Sequence, residues 1–194
     1  MLFSIILPTH KRTRPLSHAI SSLLTQTYPQ WELIIIDHPD SPMHAVNPTR
    51  LAQIDRRIRH VSRTYRDTHD AHAIGVSIAR GDIITFLGAH DHYTPTHLAV
   101  HRDYFHTHPH VSMIHGTPTI FGSPYVSDTS GTHTHAHRRV TGGTCFIREH
   151  VFDTLPAIPR EFHHAEANRI RQMVHDKGFS VRTIPMPTYI YDRT

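Results

Sequence analysis

Residues 4–37, SIILPTHKRTRPLSHAISSLLTQTYPQWELIIID, decide the reading of this chain. Ser4 to Leu7 is a short apolar, β-branched run stopped by Pro8, and Trp31 to Ile36 is a second one that ends on the carboxylate of Asp37. Between them Leu16, Ala19, Ile20, Leu23 and Leu24 recur at helical spacing after Pro15, a residue suited to the first turn of a helix. The pattern predicts two buried parallel strands joined by a crossover helix, a unit that binds ligands at the carboxyl ends of its strands. Those ends carry Pro8, Thr9, His10, Lys11 and Arg12 on one strand and Asp37 on the other. No glycine-rich turn follows the first strand, so the phosphate loop of a dinucleotide-binding domain is absent.

The stretch resembles the start of family 2 glycosyltransferases, in which the first strand ends in a P-T-x-x-R-like loop, a helix leads into Q-T-Y-P and the second strand ends in an aspartate. Here these elements are PTHKR at 8–12, QTYPQWELIIID at 26–37 and Asp37 itself. The resemblance implies a GT-A (Rossmann-like) α/β fold, a single domain with a central, mainly parallel sheet flanked by helices. Residues 1–91 would then form the nucleotide-sugar-binding half and 92–194 the acceptor-side half. It also implies that Asp37 accepts a hydrogen bond from the nucleotide base, with Pro8, Thr9 and Arg12 close to the nucleoside.

Composition bounds the alternatives. A chain of 194 residues with 38% hydrophobic residues can bury one real core. No apolar run reaches membrane-spanning length and the N-terminus lacks a signal-peptide pattern, so the expected location is the cytoplasm. The single cysteine, Cys145, rules out an intramolecular disulfide and a multi-cysteine zinc site; its TGGTCF setting suits a small core residue better than a nucleophile. A net charge of +4 suits an anionic ligand, a sugar nucleotide or a polyanion, but Lys and Arg are scattered and no nucleic-acid module is present. The 22 histidines outnumber the 20 Lys and Arg together, so net charge should climb steeply below neutrality.

Further along, Ile58 to Ser62 reads as a third strand, and Asp70 to Ala79 as a helix with Ala71, Ile74 and Ile78 on one face, closed by Gly81 as a C-terminal cap. Asp82 to Leu87 is the next buried strand. It opens a second informative region, ARGDIITFLGAHDHYTPTHL at 79–98. The equivalent family stretch looks like A-x-G-x-x-I-x-F-L-D-x-D-D, and the resemblance covers Ala79, Gly81, Ile84, Phe86, Leu87, Asp91, Pro95 and Leu98. The first two motif aspartates are Gly88 and His90 here, leaving Asp91 as the carboxylate.

By the resemblance, Gly88, Ala89 and His90 would lie along the donor diphosphate. His90 and Asp91 would hold a divalent cofactor, Mn2+ or Mg2+, with the imidazole shifting preference toward Mn2+. The alternative for His90 is direct contact with phosphate or a cap on the loop. In the A-R-N-x-x-G segment of the family the arginine is replaced by His72, a second candidate donor contact, and the asparagine by Ala73; His38 follows Asp37 where the family often has another acid.

Pro95 to His108 should be a helix and Val111 to Thr119 a strand. The next segment reads as a long loop or loose hairpin carrying His133, His135 and His137, one face of a strand and so either a metal site or a chance cluster. Gly142 to Phe146, with Arg148, resembles the family's acceptor-side element, and Glu149 to Leu155 reads as a short helix. A later helix runs from about Phe162 to Lys177 and stops at Gly178. Near its start the family carries an E-D pair whose aspartate is the general base. Glu166 and Ala167 occupy those places, so the expected catalytic group is Glu166, with His164 and His163 as substitutes better matched to neutral pH; a plain helix-start carboxylate is the other reading of Glu166. Ser180 to Ile184 and Thr188 to Tyr191 read as closing strands.

The function implied is transfer of a sugar from a nucleoside diphosphate, UDP foremost, to a saccharide or other hydroxyl acceptor, with inversion. The alternatives are a catalytically degenerate nucleotide- or glycan-binding relative, or a histidine-rich metal-binding protein on the same scaffold.

Overall fold

The computed structural model describes residues 1–9, 16–40, 50, 53, 55–121, 144–153, 172 and 174–192. β1 (Phe3–Pro8) and β2 (Trp31–Asp37) pair in parallel, Phe3 opposite Trp31 and Pro8 opposite Ile36, with α1 (Ser17–Leu24) crossing between them. β3 (Ile58–Ser62) adds in parallel outside β2, and β4 (Ile83–Phe86) in parallel on the other side of β1. α2 (Thr68–Ile78) connects β3 to β4. The second half is mixed: β5 (His92–Tyr93), α3 (His97–Thr107), β6 (Met113–Phe121), β7 (Thr144–Ile147), α4 (Arg148–Val151) and β8 (Val181–Asp192). The sheet order is β3-β2-β1-β4-β7-β6-β8-β5, with β7 antiparallel to both β4 and β6.

β1, β2 and β4 are apolar along almost their whole length because both faces of the sheet are covered. On one face Phe3, Ile5, Leu7, Leu33, Ile35 and Ile83 meet Leu16 just before α1, Ala19, Ile20 and Leu23 of α1, and Leu98 and Phe105 of α3. On the other, Ile6, Ile34, Ile36, Ile84 and Phe86 meet Ala71 and Val76 of α2, Val151 of α4 and Val174. Leu24, included in the expected face of α1, is exposed.

The face of α2 that packs on the core is wider than its apolar spacing. Ala71, His72, Gly75 and Val76 are buried while Ile74 and Ile78 are only partly so. Gly75 sets this orientation, since a Cβ there would collide with Cγ2 of Ile6 and lie 3.0 Å from its Cγ1. Gly81 is not the cap of α2; the helix ends at Ile78 with Ala79 extended. A Cβ at Gly81 would instead stand 2.6 Å from the Leu2 carbonyl oxygen and 2.7 Å from the Ser4 nitrogen, so its lack of a side chain lets the turn before β4 lie against β1. Gly178 does cap a helix: its φ is +85°, its N–H donates to His175 O and that of Phe179 to Val174 O, the paired bonds of a Schellman motif. The two closing strands expected after it are one, β8, which runs through Pro185 and Pro187.

The Q-T-Y-P segment does structural work. Gln26 accepts from Leu98 N at the start of α3 and donates to Thr94 O at 2.7 Å, while Tyr28 donates to Met1 O and packs edge-on against Phe3. At the amino ends of the strands, buried Glu32 accepts from Ser4 Oγ (2.7 Å), Arg80 N (2.7 Å) and Arg59 (2.9 Å), tying β1, β2, β3 and the Gly81 turn together. Among the described residues no helix is long and apolar enough to cross a membrane.

Candidate active site at the carboxyl ends of the strands

Parallel register brings the carboxyl ends of β1, β2, β3 and β4 to one edge, and most of the described candidate residues collect there. Thr9, directly after β1, is fully buried; its N–H donates to Ile36 O, and its hydroxyl donates to Asp37 Oδ1 at 2.7 Å. The other carboxylate oxygen of Asp37 faces His60 Nε2 at 3.4 Å. Asp37 therefore ends β2 with its carboxylate oriented from two neighbouring strands, and its side chain keeps 13% of its surface exposed. Tyr65 lies under this group, donating to Ile36 O at 3.4 Å and meeting the ring of His38 edge-on. His72, on the buried side of α2, stacks at a tilt on Phe86, the last residue of β4, with ring centroids 4.4 Å apart.

Beyond β4 the chain turns through Gly88, Ala89, His90 and Asp91, closed by Asp91 N donating to Gly88 O at 3.1 Å. Asp91 is buried, and its Oδ2 accepts from the hydroxyl of Tyr189 on β8. A Cβ at Gly88 would run into that same carboxylate, with Cγ of Asp91 at 3.0 Å. The glycine at 88 and the placement of Asp91 are thus two parts of one arrangement: a motif aspartate at 88 would have to displace the carboxylate at 91. Tyr189 carried no sequence signal, being 98 residues from Asp91, and His60 none beyond membership of a strand.

Arg148, placed on the acceptor side by resemblance, sits at the opposite edge of the sheet. Its N–H donates to Asp82 O beside the start of β4, and its guanidinium donates to Ala79 O at 2.7 Å, satisfying the end of α2. Arg12, His163, His164, Glu166, Ala167 and the histidines at 133, 135 and 137 lie outside the described residues.

The donor set at Asp91, one carboxylate with a neighbouring imidazole, would suit a divalent ion that takes its remaining oxygens from phosphate. It does not form a closed all-protein cage. The three-donor clusters among the described residues lie elsewhere, at His97, His101 and Cys145 and at Asp67, His69 and Asp70.

An oriented carboxylate at the end of β2 and a short turn after β4 thus lie along one edge of the sheet. Glycosyl transferase family 2 matches residues 4–165, and the chain belongs to that family. An uncharacterized glycosyltransferase of Nostoc sp. is 28% identical over 133 residues, 68% of this chain and 41% of its own. The crystal structure of S. aureus TarS 1–349 superposes with a TM-score of 0.78 at 13% identity, over 99% of this chain and 60% of that one; TarS has also been solved in complex with UDP-GlcNAc. The mannosyltransferase PcManGT from Pyrobaculum calidifontis, solved with GDP-Man and Mn2+, gives a TM-score of 0.74 at 16% identity over 97% of this chain and 56% of that one. The chain thus spans less than half of the Nostoc relative and about six tenths of TarS 1–349.

Proposed function

We propose that this chain binds a nucleoside-diphosphate sugar, UDP-linked in the first instance, at the carboxyl edge of β1, β2 and β4 and transfers the sugar with inversion to a hydroxyl of a saccharide or other acceptor. The observation that carries the reading is the carboxylate of Asp37, held by Thr9 and His60 at the end of a buried strand, where it can accept an imide or amino hydrogen with little competition from water. The UDP-GlcNAc complex of TarS supports the choice of nucleotide, and the GDP-Man complex of PcManGT names the alternative.

In this reading Pro8, Thr9 and Arg12 flank the nucleoside, and the turn Gly88–Ala89–His90 runs beneath the diphosphate with His72 beside it. Mn2+ or Mg2+, held by Asp91 and His90, would neutralise the charge of the leaving diphosphate. Glu166, with His164 as its substitute, takes the proton of the acceptor hydroxyl as that oxygen bonds to the anomeric carbon and the bond to the diphosphate oxygen breaks. The test is hydrolysis and transfer screened over UDP-, GDP- and dTDP-sugars with and without Mn2+. Turnover of one UDP-sugar is expected; no binding and no turnover of any donor would overturn the reading.

A second reading, a relative that binds the nucleotide sugar without turning it over, is favoured by the engagement of Asp91 with Tyr189 over Gly88. It predicts donor binding with neither hydrolysis nor transfer.

A further inference from the structure

Behind the Gly88–Asp91 turn, on the α3 side of the sheet, three metal-binding side chains meet inside the core. His97 and His101 stand four residues apart on α3, and Cys145 lies opposite Thr85 on β7; all three are fully buried. One ring nitrogen from each histidine and Sγ of Cys145 lie within 4.8 Å of one another, with His97 Nε2 4.0 Å from the sulfur.

The hydrogen bonds decide where the lone pairs are. His101 Nδ1 is 2.8 Å from His97 O, a carbonyl that can only accept, so Nδ1 carries the proton and Nε2 the lone pair. That Nε2 is buried with no hydrogen-bond partner. His97 Nδ1 is 3.1 Å from Thr188 O and 2.8 Å from its hydroxyl; in the tautomer that donates to the carbonyl, the Nε2 lone pair faces the sulfur. Imidazoles whose Nδ1–H is fixed by a main-chain carbonyl while Nε2 stays open have the usual outer support of metal-binding histidines.

We propose that His97, His101 and Cys145 bind a thiolate-seeking transition ion, zinc(II) by the chemistry of the donors, and so pin α3 to β7. One thiolate and two imidazoles are borderline-soft donors that favour zinc over Mg2+ or Mn2+, and three protein ligands suffice for a four-coordinate ion that keeps one position open. Ligand bonds of about 2.0–2.3 Å set donor atoms roughly 3.3–3.7 Å apart in a tetrahedral site, so a contraction of about 1.5 Å or less closes this one. Binding replaces the S–H bond with a bond from sulfur to the ion and releases that proton to solvent. The site is separate from His90 and Asp91. It shares β8 with them, since Thr188 holds His97 and the next residue, Tyr189, holds Asp91.

The test uses the full chain without a polyhistidine tag, produced in metal-limited medium supplemented with cobalt(II). Cys145 is the sole cysteine, so a thiolate-to-cobalt charge-transfer band in the near ultraviolet reports this site and none of the other histidines. The expected result is that band with tetrahedral visible bands, at one cobalt per chain, displaced by zinc and absent from Cys145→Ala. A wild-type protein with no thiolate band, or a folded Cys145→Ala protein with an unchanged spectrum, overturns the proposal. Should Cys145→Ala fail to fold, the wild-type spectrum alone decides.

Discussion

Gly88 and Asp91 act as a pair. The carboxylate of Asp91 lies where a side chain at 88 would stand, and it accepts from Tyr189. Gly88→Ala should therefore push Asp91 off Tyr189 and lower donor turnover about tenfold or more, the scale at which small misplacements in a site are felt; wild-type turnover in steady-state kinetics would show that the placement of Asp91 does not matter. Glu166→Gln keeps size and hydrogen bonding while removing the basic oxygen. It should cost about a hundredfold or more in turnover with donor affinity unchanged, and an unaffected rate would remove Glu166 from the reaction. Asp37 was legible in the sequence because the apolar run of β2 ends on it. His60 and Tyr189 were not, because each reaches its carboxylate through strand pairing, with the neighbouring β3 for His60 and with β8, 98 residues away, for Tyr189, and local periodicity does not encode register.

Elements are joined in this fold where side chains are absent or buried charges are shared. Gly81→Ala would set a methyl against the main chain of β1, which cannot step aside as a side chain can. A loss of about 1–3 kcal/mol is expected from denaturant unfolding, and unchanged stability would show that the turn relaxes freely. Glu32 gives a pH signature. Burial raises its pKa, but hydrogen bonds from Ser4, Arg80 N and Arg59 outweigh this and leave it below the ordinary 4.5. A carboxyl held lower in the folded than in the unfolded chain contributes stability above its unfolded value and loses it as pH falls through its folded value. Glu32→Gln should lower stability by about 1–3 kcal/mol near neutrality and flatten the acid limb as pH falls below the ordinary 4.5; melting curves with the same acid limb as wild type would contradict this. Helical spacing gave α1, α2 and α3 to within a few residues. The face of α2 that it marked does pack on the core, with Ala71 buried and Ile74 and Ile78 partly so, but it did not show that Gly75 makes the close approach to Ile6.

At the scale of the whole molecule, the parallel half of the sheet follows from residues 4–87, because adjacent apolar runs with short crossovers leave few ways to pair. The second half does not. Pro185 and Pro187 break the run that became β8, and the antiparallel placement of β7 between β4 and β6 depends on contacts across the 22 residues from 122 to 143, outside the described set. Nucleotide binding at the edge where β1 and β2 end is the central element of the proposed function. The most direct measurement is calorimetric titration of UDP into the chain and into Asp37→Ala. Wild type should bind, and Asp37→Ala should bind more weakly by about 1.5–3 kcal/mol, the range for a charge-assisted hydrogen bond. Equal affinity in the two proteins would contradict it.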